Sequence, residues 1–261
     1  MTTNLVRYEN RGSAAVLTMN RPERRNALNR ALVTALAEAF TQARYDSAAR
    51  CVILTGVGSV FCAGMDLAEL QEAVQGGEEA SPVWDDAVRL GALYDLIYTL
   101  PKPTIAAVNG AAVAGGAGLA AVCDLAVTVP GAHFGYPEVR RGLVAAMVLP
   151  HLLRLVGERM ARYLLLAGVL IDAAEALRAG LVNAITMPDL LLEQALAWAH
   201  EIAEGGPNAL AMTKSLLQRF SHQKVSLEET AQASAAPRLT EECRQGLEAF
   251  FAKRPAPWAP K

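Results

Sequence analysis

A single carboxylate in this chain stands where proton-transfer chemistry would place one. Glu138 closes the run His133-Phe134-Gly135-Tyr136-Pro137-Glu138, downstream of a stretch almost without side chains, Asn109-Gly110-Ala111-Ala112-Val113-Ala114-Gly115-Gly116-Ala117-Gly118. That stretch follows a short apolar strand and precedes the helical run Leu119 to Cys123, so N–H groups near Gly115 begin a helix without carbonyl partners. Such groups attract negative charge. Unpaired N–H donors facing one acidic side chain are the minimum needed to hold an enolate oxygen and move a proton beside it.

Other reactive side chains have structural readings. Asp66 precedes the helical run Leu67 to Val74 and is placed to cap it. Asp124 follows a buried helix and reads as a hydrogen-bonding helix end. Cys62 has no histidine near it in sequence, which makes it small core filler rather than a nucleophile. The four histidines, His133, His151, His200 and His222, show no metal-ligand spacing, and no metal is expected. Gly116-Ala117-Gly118-Leu119-Ala120-Ala121 matches G-x-G-x-x-A, a dinucleotide fingerprint. That fingerprint needs its first glycine at the end of a strand, whereas Asn109 to Gly115 intervene here.

The elements that must position Glu138 begin as strands and end as helices. Val6 to Glu9 and Ala14 to Met19 read as strands around an Asn10-Arg11-Gly12-Ser13 turn. Leu28, Leu32, Leu36 and Phe40 repeat at helical spacing, predicting a helix over Asn26 to Arg44 before a buried strand at Cys51 to Leu54. The pattern returns with Phe61-Cys62, helices over Asp66–Val74 and about 84–100, and a strand at Thr104 to Val108 behind Pro101-Lys102-Pro103. A third turn runs through the helix after Gly115, Leu125 to Thr128 and His133-Phe134. From about Ala146 helices dominate, at 147–156, 158–167, 172–179, 189–204, 207–220 and 226–251, and only Leu181 to Thr186 reads as a strand. Residues 1–200 are therefore taken as the core and 201–261 as a helical C-terminal region. Its alanine-rich helices are expected to finish their burial against another subunit.

Composition excludes several classes. Apolar residues make up 52% and charged residues 19% of 261 positions, as in a globular chain. A formal charge of −2 offers no basic footprint for nucleic acid. The four cysteines form no CxxC pair and suit a reducing compartment. No charged-then-apolar leader opens the sequence and no apolar run reaches spanning length, so the expected location is the cytoplasm, away from the membrane.

Five segments in order resemble the enoyl-CoA hydratase/isomerase (crotonase) superfamily. They are Asn20-Arg21-Pro22 with Asn26-Ala27-Leu28, Phe61-Cys62-Ala63-Gly64-Met65-Asp66-Leu67, Ala107-Val108-Asn109-Gly110 with Gly115-Gly116 and Cys123-Asp124, Phe134-Gly135 with Pro137-Glu138, and Phe250-Phe251-Ala252-Lys253-Arg254-Pro255. The resemblance implies an α/β spiral of ββα units, a helical C-terminal trimerisation region, and a homotrimer or dimer of trimers. It implies an acyl-CoA thioester substrate, with coenzyme A as part of the substrate and no separate cofactor. By position, the thioester oxygen would accept from the backbone N–H groups of Met65 and Gly115, and Glu138 would be catalytic. Substrate-binding positions carried over are Arg24, Arg25, Ala27, Ala63, Asp66, Leu67, Val113, Phe250 and Lys253. Arg24, Arg25 and Lys253 are cations suited to phosphates, and Phe250 is an aromatic suited to adenine. The acyl pocket is expected between the segment Leu70 to Tyr94 and residues Val144 to Val148.

One departure bears on the reaction. Well-known hydratases of this family carry a second glutamate inside the Gly-rich helix start, where this chain has Gly118. Two carboxylates divide the proton work of hydration naturally, whereas moving a double bond needs one base. The text Pro137-Glu138-Val139-Arg140-Arg141-Gly142-Leu143 with Gly118 is similar to a bacterial subgroup described as enoyl-CoA or methylglutaconyl-CoA hydratases. Hydration is accordingly the first expectation. Δ3-Δ2-isomerisation by a single glutamate is the second, and a non-catalytic acyl-CoA-binding protein is the alternative outside enzymes.

Overall fold

The computed structural model describes residues 4–75, 81–221, 241–243, 245, 249 and 252–259. Two sheets carry the fold. Strands β1 (Val6–Arg11), β2 (Ala14–Met19), β3 (Cys51–Gly56), β5 (Thr104–Val108), β7 (Leu125–Thr128) and β10 (Ala184–Ile185) form the larger one, in the order β1-β2-β3-β5-β7-β10. Strands β4 (Val60–Cys62), β6 (Ala111–Val113), β8 (His133–Gly135) and β9 (Leu170–Asp172) form the smaller one, in that order. Successive units send their first strand, β3, β5 or β7, to the large sheet and their second, β4, β6 or β8, to the small one. Helices α1 (Arg30–Tyr45), α2 (Leu67–Gln75), α3 (Ser81–Tyr98), α4 (Gly115–Val122) and α5 (Leu149–Ala167) follow the strand pairs. This is the expected spiral of ββα units.

Burial explains why the strands read as apolar runs rather than alternating ones. All five residues of β5 are buried, as are Cys51 to Leu54 of β3, because each strand has a parallel neighbour on either side and packed layers on both faces. Past the short helix α6 (Ala173–Ala179), helix α7 (Leu191–Ala203) packs on β3 and β5 through Leu191, Ala195, Ala199 and Ala203. The boundary expected near residue 200 falls inside this helix. Helix α8 (Pro207–Phe220) is anchored by the buried Lys214, whose Nζ pairs with Asp124 Oδ2 at 2.7 Å and donates to the Ile97 and Lys102 carbonyls.

The structure moves several expected boundaries. Helix α1 starts at Arg30 rather than Asn26, since Arg25 and Asn26 take left-handed φ values of 51° and 53° and Asn29 caps the helix through Leu32 N–H. Strand β6 lies inside the Gly-rich stretch, to which the sequence assigns no strand. Strand β9 is a further strand among the C-terminal helices, where pairing with β8 rather than local propensity supplies it. The helices expected at 147–156 and 158–167 are found as two helical runs within α5, separated at the non-helical Gly157 (φ 69°), with the first starting at Leu149. Most of the helix expected at 226–251 lies outside the described residues.

Candidate active site

Three neighbouring parallel strands point their C-terminal ends at one place. β4 ends at Cys62 and leads into Ala63-Gly64-Met65. β6 ends at Val113 and leads into Ala114-Gly115. β8 ends at Gly135 and leads into Tyr136-Pro137-Glu138. The three segments expected to act together leave adjacent strands of the small sheet, so the sheet's hydrogen bonds set their spacing.

At the first strand end, Leu28 N–H donates to the Gly64 carbonyl at 2.7 Å and Asp66 N–H donates to the Leu28 carbonyl at 2.9 Å. This parallel bridge uses the groups on either side of Met65 and turns the Met65 N–H the other way, where it meets no acceptor among the described residues. Gly64 has φ +87°, and a Cβ there would stand 2.8 Å from the Val113 oxygen and the Ala114 Cβ, and 3.4 Å from the Gly115 nitrogen. A side chain at 64 would push the two loops apart.

At the second strand end, Gly115 is the first residue of α4, so its N–H has no carbonyl one turn back. Ala114 before it holds φ 53° and ψ −125°, a conformation that costs an alanine about 1–3 kcal/mol. Its N–H donates to the Gly135 carbonyl at 2.8 Å. Two N–H donors, those of Met65 and Gly115, are thus left open on facing turns.

Glu138 sits in a one-turn 3-10 helix, Pro137–Arg141, whose proline fixes the entry. The residue is half-buried, and its Oε2 is buried with no hydrogen-bond partner among the described residues. Burial raises its carboxyl pKa, opposed by its own backbone N–H and by Arg141. A cavity of about 540 Å³ opens beside it towards α5, walled by Tyr136, Val144, Leu149, Leu153 and Leu165 among others. This cavity, whose wall also includes Glu158 and Arg162, touches Glu138 but neither Met65 nor Gly115, so it is a mainly apolar annex beside the carboxylate. Val144 and Ala145 belong to one segment expected to line the acyl pocket, whereas no described residue from Leu70 to Tyr94 lines this cavity. The Tyr136 hydroxyl, also on its wall, is buried without a partner among the described residues.

The positions expected to bind substrate differ in exposure. Arg24 and Arg25 are exposed on the turn before Asn26, and Ala27, Ala63 and Val113 are half-buried. Met65 and Leu67 are exposed apolar side chains. Asp66 is occupied by the fold: Arg21 pairs with its Oδ2 at 2.8 Å and Ala68 N–H donates to its Oδ1. Burial opposes its ionisation, but the Arg21 and Ala68 bonds outweigh it and hold its carboxyl below the usual range. Lys253 is exposed, and Phe250 lies outside the described residues. Asp124 accepts from the Thr104 N–H and hydroxyl as well as from Lys214, in keeping with a structural helix end. The Cys62 thiol is pushed up to about 12 by burial, which removes it as a nucleophile at neutral pH.

Two residues escaped sequence reading. Asn26 is fully buried and its side chain accepts from Arg21 N–H and donates to the Val57 and Val60 carbonyls, locking the turn that carries Arg24 and Arg25. Tyr94, on α3, donates its hydroxyl to the Gly115 carbonyl at 2.7 Å. The sequence places it only at the end of the segment expected to line the acyl pocket, with no role of its own.

Comparison with known proteins agrees with this architecture. The pattern of the family described as enoyl-CoA hydratase/isomerase matches residues 9–261. A Thermus thermophilus protein named as an enoyl-CoA hydratase is 45% identical over 249 residues, covering 94% of this chain and 97% of that one. A crotonyl-CoA hydratase of Syntrophomonas wolfei is 36% identical over 252 residues, covering 93% of each. A crystal structure of an enoyl-CoA hydratase/isomerase (crotonase) from Legionella pneumophila superposes with a TM-score of 0.90 at 35% identity, covering 98% of this chain and all of that one. A fold of ββα turns with open N–H groups beside a buried carboxylate defines the class, and the chain belongs to the enoyl-CoA hydratase/isomerase family. It is an enzyme of that family. No described helix is long and apolar enough to cross a membrane.

Proposed function

We propose that this enzyme adds water across the double bond of a 2-enoyl-CoA thioester. The observation that carries the reading is the unpartnered Oε2 of Glu138 on the strand end next to those bearing the open Met65 and Gly115 N–H groups. In this reading the two N–H groups form an oxyanion hole and donate to the thioester oxygen. The C3 position becomes electrophilic because charge pushed from C3 through C2 ends on that oxygen. Glu138 takes a proton from water as the water oxygen bonds C3. The resulting enolate collapses as Glu138 returns a proton to C2. The carboxylate ends as it began, so one group covers both transfers.

The exposed Arg24 and Arg25 serve the phosphates of coenzyme A, joined by Lys253 from the C-terminal region. The acyl chain runs towards the apolar annex, which favours a hydrocarbon chain over a charged one. The exposed Tyr163, Leu166 and Leu170 support assembly as a trimer or a pair of trimers. The buried thiols of Cys51, Cys62 and Cys123 are in keeping with a cytoplasmic enzyme.

A second reading, Δ3-Δ2-enoyl-CoA isomerisation, draws on Gly118, which supplies no carboxylate opposite Glu138. One experiment separates the two. Purified protein is given a trans-2-enoyl-CoA and, separately, a 3-enoyl-CoA, and the conjugated thioester absorbance is followed beside Glu138→Gln. Loss of absorbance from the 2-enoyl substrate, absent in the variant, is the expected result. A gain from the 3-enoyl substrate alone would replace hydration with isomerisation.

A further inference from the structure

Hydration asks more of the site than isomerisation does, because a water molecule must be held with a lone pair aimed at C3. A water in that pose donates both of its hydrogens elsewhere, so it needs two acceptors. Glu138 Oε2 is one. Gly118 offers no side chain, and the structure shows why. A Cβ at 118 would stand 2.2 Å from the Tyr94 hydroxyl and 2.6 Å from the ring carbon that bears it. The space next to α4 that a side chain at 118 would enter is already filled by this phenol.

The phenol's chemistry is fixed by its own bond. Tyr94 donates its hydrogen to the Gly115 carbonyl at 2.7 Å, which leaves its oxygen to act only as an acceptor. The hydroxyl is also held close to the open N–H, since a Cβ on Gly115 would lie 3.4 Å from it. We infer that Tyr94 is the second water-holding residue of this site, its hydroxyl oxygen and Glu138 Oε2 accepting the two hydrogens of the attacking water. The inference rests on the hydratase reading. Burial, then the nearby Cys62, Tyr136 and Glu138, raise the Tyr94 pKa well above the ordinary tyrosine value, so the phenol stays neutral through the working range. The proton of the water therefore goes to Glu138, and Tyr94 undergoes no net change. Atoms balance: one O–H bond of water breaks, the C3–O and C2–H bonds form, and no oxidant or further reactant is required.

Two reactions on the same protein separate water holding from support of the Gly115 turn. Hydration of a trans-2-enoyl-CoA uses the water. Exchange of the C2 hydrogens of butyryl-CoA in deuterium oxide uses the N–H donors and Glu138 but adds no water, and mass spectrometry reads it. Tyr94→Phe deletes only the oxygen. Hydration kcat is expected to fall about 10- to 100-fold, the loss of one hydrogen bond to a reacting group, with KM within about twofold and C2 exchange retained. Gly118→Ala keeps the phenol but displaces it by sterics, and the same split is expected. An equal fall in hydration and exchange in both variants would show that Tyr94 only supports Gly115, and unchanged hydration would show that it holds nothing. Either result overturns the inference. A wild-type protein that exchanges C2 hydrogens yet never hydrates would instead remove the hydratase reading beneath it.

Discussion

The Ala114 N–H donates to the Gly135 carbonyl at 2.8 Å, and this one bond joins the turn that presents Gly115 to the turn that presents Glu138. The donor stands in a backbone conformation with φ 53° and ψ −125°, which alanine adopts only under constraint. The strain is stored where alignment between an N–H and a carboxylate matters. A branched side chain at this position would tighten the conflict between Cβ and backbone.

Ala114→Val is therefore expected to lower both stability and turnover. A further cost of about 1–3 kcal/mol should appear as an earlier midpoint in urea with unchanged slope. Turnover should fall more than substrate affinity, because the displaced Gly115 N–H acts most strongly on the developing oxyanion. Denaturation curves and steady-state kinetics on a 2-enoyl-CoA check the two halves independently.

Glu138→Gln should trade activity for stability. Losing the group proposed to transfer both protons is expected to cost about 100- to 10,000-fold in kcat. Burial raises the folded-state pKa of Glu138, so the folded protein favours the protonated carboxyl. For such a group the favourable contribution is complete below the unfolded pKa and is lost as pH rises through the folded one. At neutral pH the ionised carboxylate therefore weakens the fold, and the glutamine variant should melt higher, an advantage that disappears in acid. Wild-type kcat/KM should decline as pH falls through a value above the usual glutamate range, since hydration begins with the carboxylate ionised. Melting temperatures at two pH values and a pH–rate profile decide the point.

The comparison of chain and fold explains which of these features could be read in advance. Cys51 to Leu54 and Thr104 to Val108 announced themselves as buried strands because two-sided burial writes a continuous apolar run. Glu138 and the glycines near 115 were legible because few residue types can do their work. The start of α1 was not, since the left-handed turn at Arg25 and Asn26 is held by long-range bonds from the Asn26 side chain to Val57 and Val60. Strand β9 has three residues and exists through its partner β8. Tyr94 falls in the segment expected to line the acyl pocket, but its bond to Gly115 is not legible there because it depends on the glycine at 118, on a different helix.

Asn26 should prove as important to the rim as Glu138 is to the chemistry. Asn26→Ala removes a buried side chain that satisfies one N–H and two carbonyls, and it leaves alanine at φ 53°. Orphaned buried groups and backbone strain together are expected to cost about 2–5 kcal/mol. If the variant unfolds at the same urea concentration as the parent, the turn is held by other contacts.

Arg24 and Arg25 differ from these buried positions because their work is electrostatic and at the surface. Both are exposed, so replacing them with alanine should shift stability by no more than about 0.5 kcal/mol. The effect belongs to phosphate recognition: KM for a CoA thioester should rise several-fold at low salt, and the difference from wild type should shrink at high salt as screening removes the contribution. An N-acetylcysteamine thioester of the same acyl group, which lacks the phosphates, should be turned over equally by both proteins. Equal sensitivity of the two substrates would place the coenzyme phosphates elsewhere on the rim.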